Sequence, residues 1–129
     1  MDTLAQNPVL GHITTFGGHP VCCAAGMAAF KVLLEEKITD SVTQKEQRFL
    51  SQLKSDKIRD ISSFGLWMAL KFDTFEIAKS VIDDCIADGV LTDWFLFASD
   101  CLRISPPLVI SDEQIDQACS VIVKAINSK

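Results

Sequence analysis

Two groups of residues have the types and spacing to do chemistry. The first is the run GHITTFGGHP, Gly11 to Pro20, which sets the hydroxyls of Thr14 and Thr15 before a Gly17-Gly18 pair and a proline suited to open a helix. Hydroxyls, an adaptable glycine backbone and the unbonded N–H groups of a helix start together make an anion site. The run lacks the full phosphate-loop pattern, and a plain glycine turn leading into a buried helix also accounts for it. The second is Arg103, a cation in the otherwise apolar stretch DCLRISPPLVI. Such a cation wants a carboxylate partner, and the planar guanidinium fits one better than an ammonium does. Alternation along a half-exposed strand would instead put Arg103 in solvent or in an internal ion pair.

Other reactive residue types lack partners. His12 and His19 have no Cys, Asp or Glu nearby to complete a ligand set, which leaves packing or hydrogen bonding. Cys22 and Cys23 are adjacent, a spacing that strains a disulfide, and read as small packing residues on a helix face. None of the five cysteines sits in a CxxC or His-flanked spacing, so they read as core residues of a reducing compartment. Trp67 and Trp94 are expected in the core of a sheet.

The elements that must position these residues follow from periodicity and punctuation. A short start near Thr3 to Gln6 is broken by Pro8 and Gly11, and HITTF reads as a short extended piece. Pro20 suits the first helical position, which predicts a helix to about Glu36; its stretch VCCAAGMAA is uncharged all round and is expected to pack on nearly every side. A second helix is expected from Asp40 to Ser55, with Val42, Phe49, Leu50 and Leu53 on its apolar face. Ser62 to Phe72 reads as one strand containing Gly65. A third helix is expected over Phe75 to Ala87, with Ile77, Val81, Ile82, Cys85 and Ile86 inward and Gly89 ending it. VLTDWFLF and CLRIS are expected as two strands joined by a polar turn at Ala98-Ser99-Asp100. Ser111, followed by Asp112, Glu113 and Gln114, forms a capping-box start for a last helix carrying Ile115, Ala118, Cys119, Ile122 and Ile126 on one face. The order predicts an α+β fold, with helices packed on a small, mostly antiparallel sheet.

Composition narrows the functions. The chain has 129 residues and a net charge of −5, with no basic patch to meet a nucleic-acid backbone. The uncharged stretch from Leu4 to Phe30 is interrupted by Asn, Gly, His and Pro, too often to span a bilayer. The start has neither the basic residues nor the apolar run of a signal peptide, so a soluble, cytoplasmic protein is expected.

Three segments in order, GHITTFGGHPVCCAAGMAAFKVL, GLWMALKF and LRISPPLVISDEQIDQACSVIVKAI, resemble the C-terminal part of class III pyridoxal-phosphate aminotransferases, the ornithine and acetylornithine aminotransferase family. The resemblance is collinear from about Leu10 to Ile126. It implies one domain over residues 1–129, with 1–19 a cofactor-reaching loop and 20–129 the small domain of a fold-type I transferase, α/β when the whole enzyme is classified. Thr15 matches the threonine that reaches the phosphate of pyridoxal phosphate in the other subunit of a dimer, with Thr14 beside it. Arg103 matches the arginine that pairs with the α-carboxylate of an amino acid or 2-oxo acid. His19 stands where the family usually has Asn, and Phe64 alters the approach to the middle strand. The Schiff-base lysine of the family precedes the threonine motif and has no counterpart here. The expectation is therefore a segment of an aminotransferase that acts on an ornithine-like donor, as a homo-oligomer or with a lysine-bearing domain, and that does not transaminate alone. The alternatives are a non-enzymatic interaction or oligomerisation domain docking through Val21 to Ala29, and a residual phosphate or carboxylate binder.

Overall fold

A computed structural model describes residues 14–129. The chain divides into two units, Met1–Lys37 and Ile38–Lys129. The expected step from loop to small domain, between residues 19 and 20, falls inside the first of them. Thr3 to Gln6, Gly11 and His12 lie outside the described residues, as does the start of HITTF.

In the first unit, α1 spans Pro20–Glu35 with proline at its start. His19 caps it: the imidazole Nδ1 accepts the Val21 N–H at 3.3 Å. An imidazole nitrogen thus takes the capping role that the resemblance assigns to an Asn at this position. None of the residues of α1 is buried. The expectation of a helix packed on nearly every side is corrected, because small residues bury themselves only where another element covers them, and here Val21, Met27, Phe30 and Leu34 are all exposed. Cys22 and Cys23, expected as packing residues, are exposed as well.

The second unit is a four-stranded antiparallel sheet with helices on one face. After a 3-10 turn, Ile38–Ser41, come α2 (Val42–Gln52), β1 (Asp60–Phe64), β2 (Trp67–Lys71), α3 (Phe75–Ala87), β3 (Asp93–Phe95), β4 (Ala98–Ile104) and α4 (Asp112–Asn127). The strand order is β1-β2-β4-β3. Alternation along β2 buries Met68 and Leu70 and turns Trp67 and Lys71 outward. Phe49 and Leu53 of the second helical segment, Val81 and Cys85 of α3, and Ile115 and Ile122 of α4 fill the core against that inner face. Burial of these apolar side chains, at about 25 cal/mol per Å², is the main force holding the helices to the sheet.

The capping box of α4 is present in full: Ser111 Oγ accepts the Gln114 N–H, and the Gln114 side chain accepts the Ser111 N–H. α3 has the expected bounds, with Thr74 as its N-cap and Gly89 in the left-handed region just past its end. Ile86, expected inward, is exposed because α3 presents only one stripe to the sheet and α4.

Two strand expectations are corrected. Ser62 to Phe72 is not one strand but a hairpin, β1 and β2 meeting at Phe64 opposite Trp67. Gly65 supplies the positive φ, +61°, that a two-residue turn of the II′ class takes at its first central position. The β3–β4 turn lies at Leu96-Phe97, not at Ala98-Ser99-Asp100. The segment stays in β4 because both ends are paired: Ala98 with Phe95 of β3, and the Asp100 carbonyl accepts the Phe72 N–H just past β2. Trp67 and Trp94, expected in the sheet core, are 60% and 37% exposed.

Candidate functional site

The loop before α1 is two successive turns, with Gly17 N–H donating to the Thr14 carbonyl at 3.3 Å and His19 N–H to the Phe16 carbonyl at 3.1 Å. Thr14 folds back over Gly17: a Cβ added there would stand 1.9 Å from Thr14 Oγ1, so any larger residue would push the Thr14 side chain aside. Gly18, at φ +77°, then reverses the chain into the cap. The Phe16 ring meets the His19 ring edge-on, 6.5 Å between centroids, which braces the capping imidazole. Thr14 and Thr15 are both exposed.

The helix start offers fewer donors than its sequence suggests. Pro20 has no N–H, His19 takes that of Val21, and that of Cys23 closes on the His19 carbonyl. Cys22 is left as the remaining first-turn donor. The chemistry available to an anion is therefore the Thr15 hydroxyl with little backbone help, a single contact and not a cradle.

Arg103 lies in the second unit, on β4, paired in register with Asp93 on β3 and with Ala69 on β2. Its Nη2 donates to Asp93 Oδ2 at 2.9 Å. Asp93 Oδ1 in turn accepts the Trp94 N–H at 2.7 Å, so both oxygens of that carboxylate are engaged. The guanidinium carbon lies 5.8 Å from the centre of the Phe95 ring, and Phe95 stacks on Trp67 with centroids 6.4 Å apart. Thr92 Oγ1 donates to the Arg103 carbonyl and ties the two strands at the same level. The Arg103 side chain is 35% exposed, so it is neither buried nor free in solvent. Among the described residues, Asp93 is its one side-chain ion-pair partner.

A cleft of about 630 Å³ opens beside this pair, bordered by Thr92, Asp93, Arg103, Pro106, Gln114 and Gln117 over an apolar floor that includes Ile104 and Ile122. Polar groups around an apolar hollow are the usual make-up of a small-molecule site. The described residues include no group of His, Cys, Asp and Glu able to hold a metal ion, and no helix among them is long and apolar enough to cross a membrane.

Thr14 and Thr15 belong to the first unit and Arg103 to the second. Asp93 and Phe95 escape a reading of the sequence. With the hairpin centred on Ser99, Phe95 would stand opposite Arg103; the turn at Leu96-Phe97 combined with the register shift between Trp94 and Phe95 sets Asp93 there instead. The signal that could have found them is Asp100-Cys101 pairing with β2, which is long-range.

Comparison with known proteins gives a consistent picture. The family model described as aminotransferase class-III matches residues 2–126. The chain is 35% identical over 127 residues to the acetylornithine aminotransferase of Haemophilus ducreyi, covering 98% of this chain and 30% of that protein. The ornithine aminotransferase of Toxoplasma gondii superposes with a TM-score of 0.77 at 30% identity, over 99% of this chain and 30% of that one. A Bacillus anthracis aminotransferase superposes with a TM-score of 0.81 at 24% identity, over 92% of this chain and 30% of that one, which speaks to the fold. The chain thus spans about 30% of the length of these relatives.

Proposed function

The chain belongs to the class III aminotransferase family, and from that premise we propose that it supplies the small domain and cofactor-reaching loop of a pyridoxal-phosphate-dependent aminotransferase working in the cytoplasm. The parent reaction moves an amino group from an ornithine-like donor to a 2-oxo acid. The observation that carries this reading is Arg103, held on the sheet beside a cleft with its guanidinium part-exposed, where an α-carboxylate can meet it.

Each residue has a limited task. Arg103 binds and orients a carboxylate through its planar fork, which fixes where the rest of the substrate points. The hydroxyl of Thr15, exposed at the end of the loop, fits one oxygen of a phosphate, and Thr14 shapes the turn that presents it. Pyridoxal phosphate, when bound, supplies the electron sink for the amino-group chemistry. No lysine of these 129 residues stands in the motif that the resemblance ties to the cofactor, so these residues contribute to a cofactor site whose lysine comes from outside them. The chain works as a dimer or against a lysine-bearing domain. Mixing it with a polypeptide carrying that domain tests the proposal: cofactor absorbance near the visible and turnover of amino donor with 2-oxoglutarate are expected from the mixture alone. A mixture that stays inert under all refolding conditions would overturn it. Thr15→Ala should weaken pyridoxal phosphate binding by the mixture; equal affinities would remove the loop from the site.

A second reading, a non-enzymatic interaction or oligomerisation domain, rests on a specific observation. α1 exposes Val21, Met27, Phe30 and Leu34, more apolar surface than one helix of a monomer usually leaves in water. Light scattering across a concentration series decides whether that surface drives association, and a strictly monomeric chain would exclude this reading.

A further inference from the structure

We propose that Asp93 is a positioning residue for Arg103: it holds the guanidinium beside Phe95 so that its remaining N–H groups are presented to a carboxylate. The inference rests on the reading of Arg103 as a carboxylate site.

Three features converge on it. First, Asp93 is the residue that β3 sets directly across from Arg103, and the register shift that follows, between Trp94 and Phe95, keeps it there while Ala98 pairs with Phe95. Second, the Asp93 carboxylate is not a loose surface group: the Trp94 N–H holds Oδ1 at 2.7 Å, which aims Oδ2 at Arg103 Nη2. Third, the pair is single-toothed. Nη2 makes the bond and Nε does not, so the fork keeps N–H groups to offer. The Phe95 ring, 5.8 Å from the guanidinium carbon and stacked on Trp67, adds a cation–π contact. An arginine side chain has several rotatable bonds, and immobilising it in advance removes part of the entropy that a ligand would otherwise have to cover.

The proposal has a sign that simple electrostatics does not share. Removing Asp93 removes a negative charge beside the site, which by Coulomb attraction alone should tighten the binding of an anion. If positioning dominates, binding weakens instead. The loss should be roughly two- to five-fold, the scale of one part-exposed ion pair.

The test uses the full 129-residue chain with 2-oxoglutarate as probe, titrated by calorimetry into the native chain and the Arg103→Ala, Asp93→Ala and Asp93→Asn variants. In parallel, the Arg103 Nε–Hε resonance is followed in the absence of ligand. The expected result is binding that Arg103→Ala abolishes, Asp93→Ala weakens, and Asp93→Asn, which keeps an acceptor oxygen, partly restores. The Arg103 resonance should be distinct in the native chain and collapse to the position of a free arginine in Asp93→Ala. Amide spectra of each variant establish that the sheet is intact, and Thr92→Val serves as a second route to loosening the same strand pair should Asp93→Ala not fold. Native-like or tighter binding by Asp93→Ala, or an unmoved resonance, overturns the positioning role while leaving the carboxylate site standing. Equal binding by Arg103→Ala overturns the carboxylate site, and this inference with it.

Discussion

Arg48 on α2 grips Asp116 on α4 through two parallel bonds, Nε to Oδ1 at 2.8 Å and Nη2 to Oδ2 at 2.6 Å, across 68 residues of sequence. Gln52, one turn further along α2, donates to the same Oδ1 at 2.7 Å. This clasp joins the helix that follows the 3-10 turn to the helix that closes the chain.

The clasp makes stability depend on acid. The Arg48 hydrogen bond, and then that of Gln52, hold the Asp116 carboxyl below its ordinary 3.8. Asp73 beside Arg59 and Asp84 beside Lys129 are lowered in the same way. A depressed folded-state pKa means stability that is present above the unfolded value and lost as pH falls through the folded one. Melting temperature should therefore hold level at neutral pH and drop below about pH 4, and Asp116→Asn should flatten that drop. Thermal melts across the pH range check it, and a slope unchanged in Asp116→Asn would refute the assignment.

Gly65 cannot be replaced cheaply. Its φ is +61°, and a Cβ there would stand 2.8 Å from Val42 Cγ1. Gly65→Ala should cost about 1–3 kcal/mol, part strain and part overpacking. In the background of Val42→Ala the overpacking is relieved and the strain is not, so denaturant titration of the double variant should recover only a fraction of the loss.

Leu102 and Phe97 occupy one hairpin with opposite fates. Leu102 is fully buried, and Leu102→Ala should destabilise the chain by about 2–5 kcal/mol. Phe97 is 97% exposed at the turn, and Phe97→Ser should change stability by less than about 0.5 kcal/mol. Chemical denaturation of the two variants side by side measures the contrast.

Thiol reactivity should separate the two units. Burial pushes the thiols of Cys85 and Cys119 up to about 11, whereas Cys22 and Cys23 are exposed on α1. Alkylation of the folded chain near about pH 8 should mark Cys22 and Cys23 quickly and reach Cys85 and Cys119 only on unfolding, because the thiolate is the reacting form. Peptide mass spectrometry after timed quenching reads the order.

Where local chemistry decides structure, the sequence was readable. Ser111 and Gln114 announce the start of α4, and Gly89 announces the end of α3, because caps are satisfied within a few residues of where they stand. Arg103 and Thr15 drew attention for the same kind of reason, a charge in an apolar run and a hydroxyl before paired glycines. The turn positions were not readable in that way. Ala98-Ser99-Asp100 has the composition of a turn, yet Ala98 pairs with Phe95 and the Asp100 carbonyl accepts the Phe72 N–H, so the segment stays in β4 and two apolar residues, Leu96 and Phe97, make the reversal. Ser62 to Phe72 looked continuous because its alternation runs on through Gly65, and only the pairing of Phe64 with Trp67 shows the fold-back.

By itself, then, the sequence determined the class of the fold, the bounds of its capped helices, the family and the two residues proposed for the site. Only the tertiary structure decided that Asp93 faces Arg103, that α1 keeps its apolar side in water, and that Trp67 and Trp94 stand at the surface of the sheet and not within it. The reason is range: caps and periodicity are satisfied by neighbours in the chain, whereas strand register and burial are set by which distant segment arrives opposite, and a shift of two residues in one hairpin exchanges the partner of Arg103.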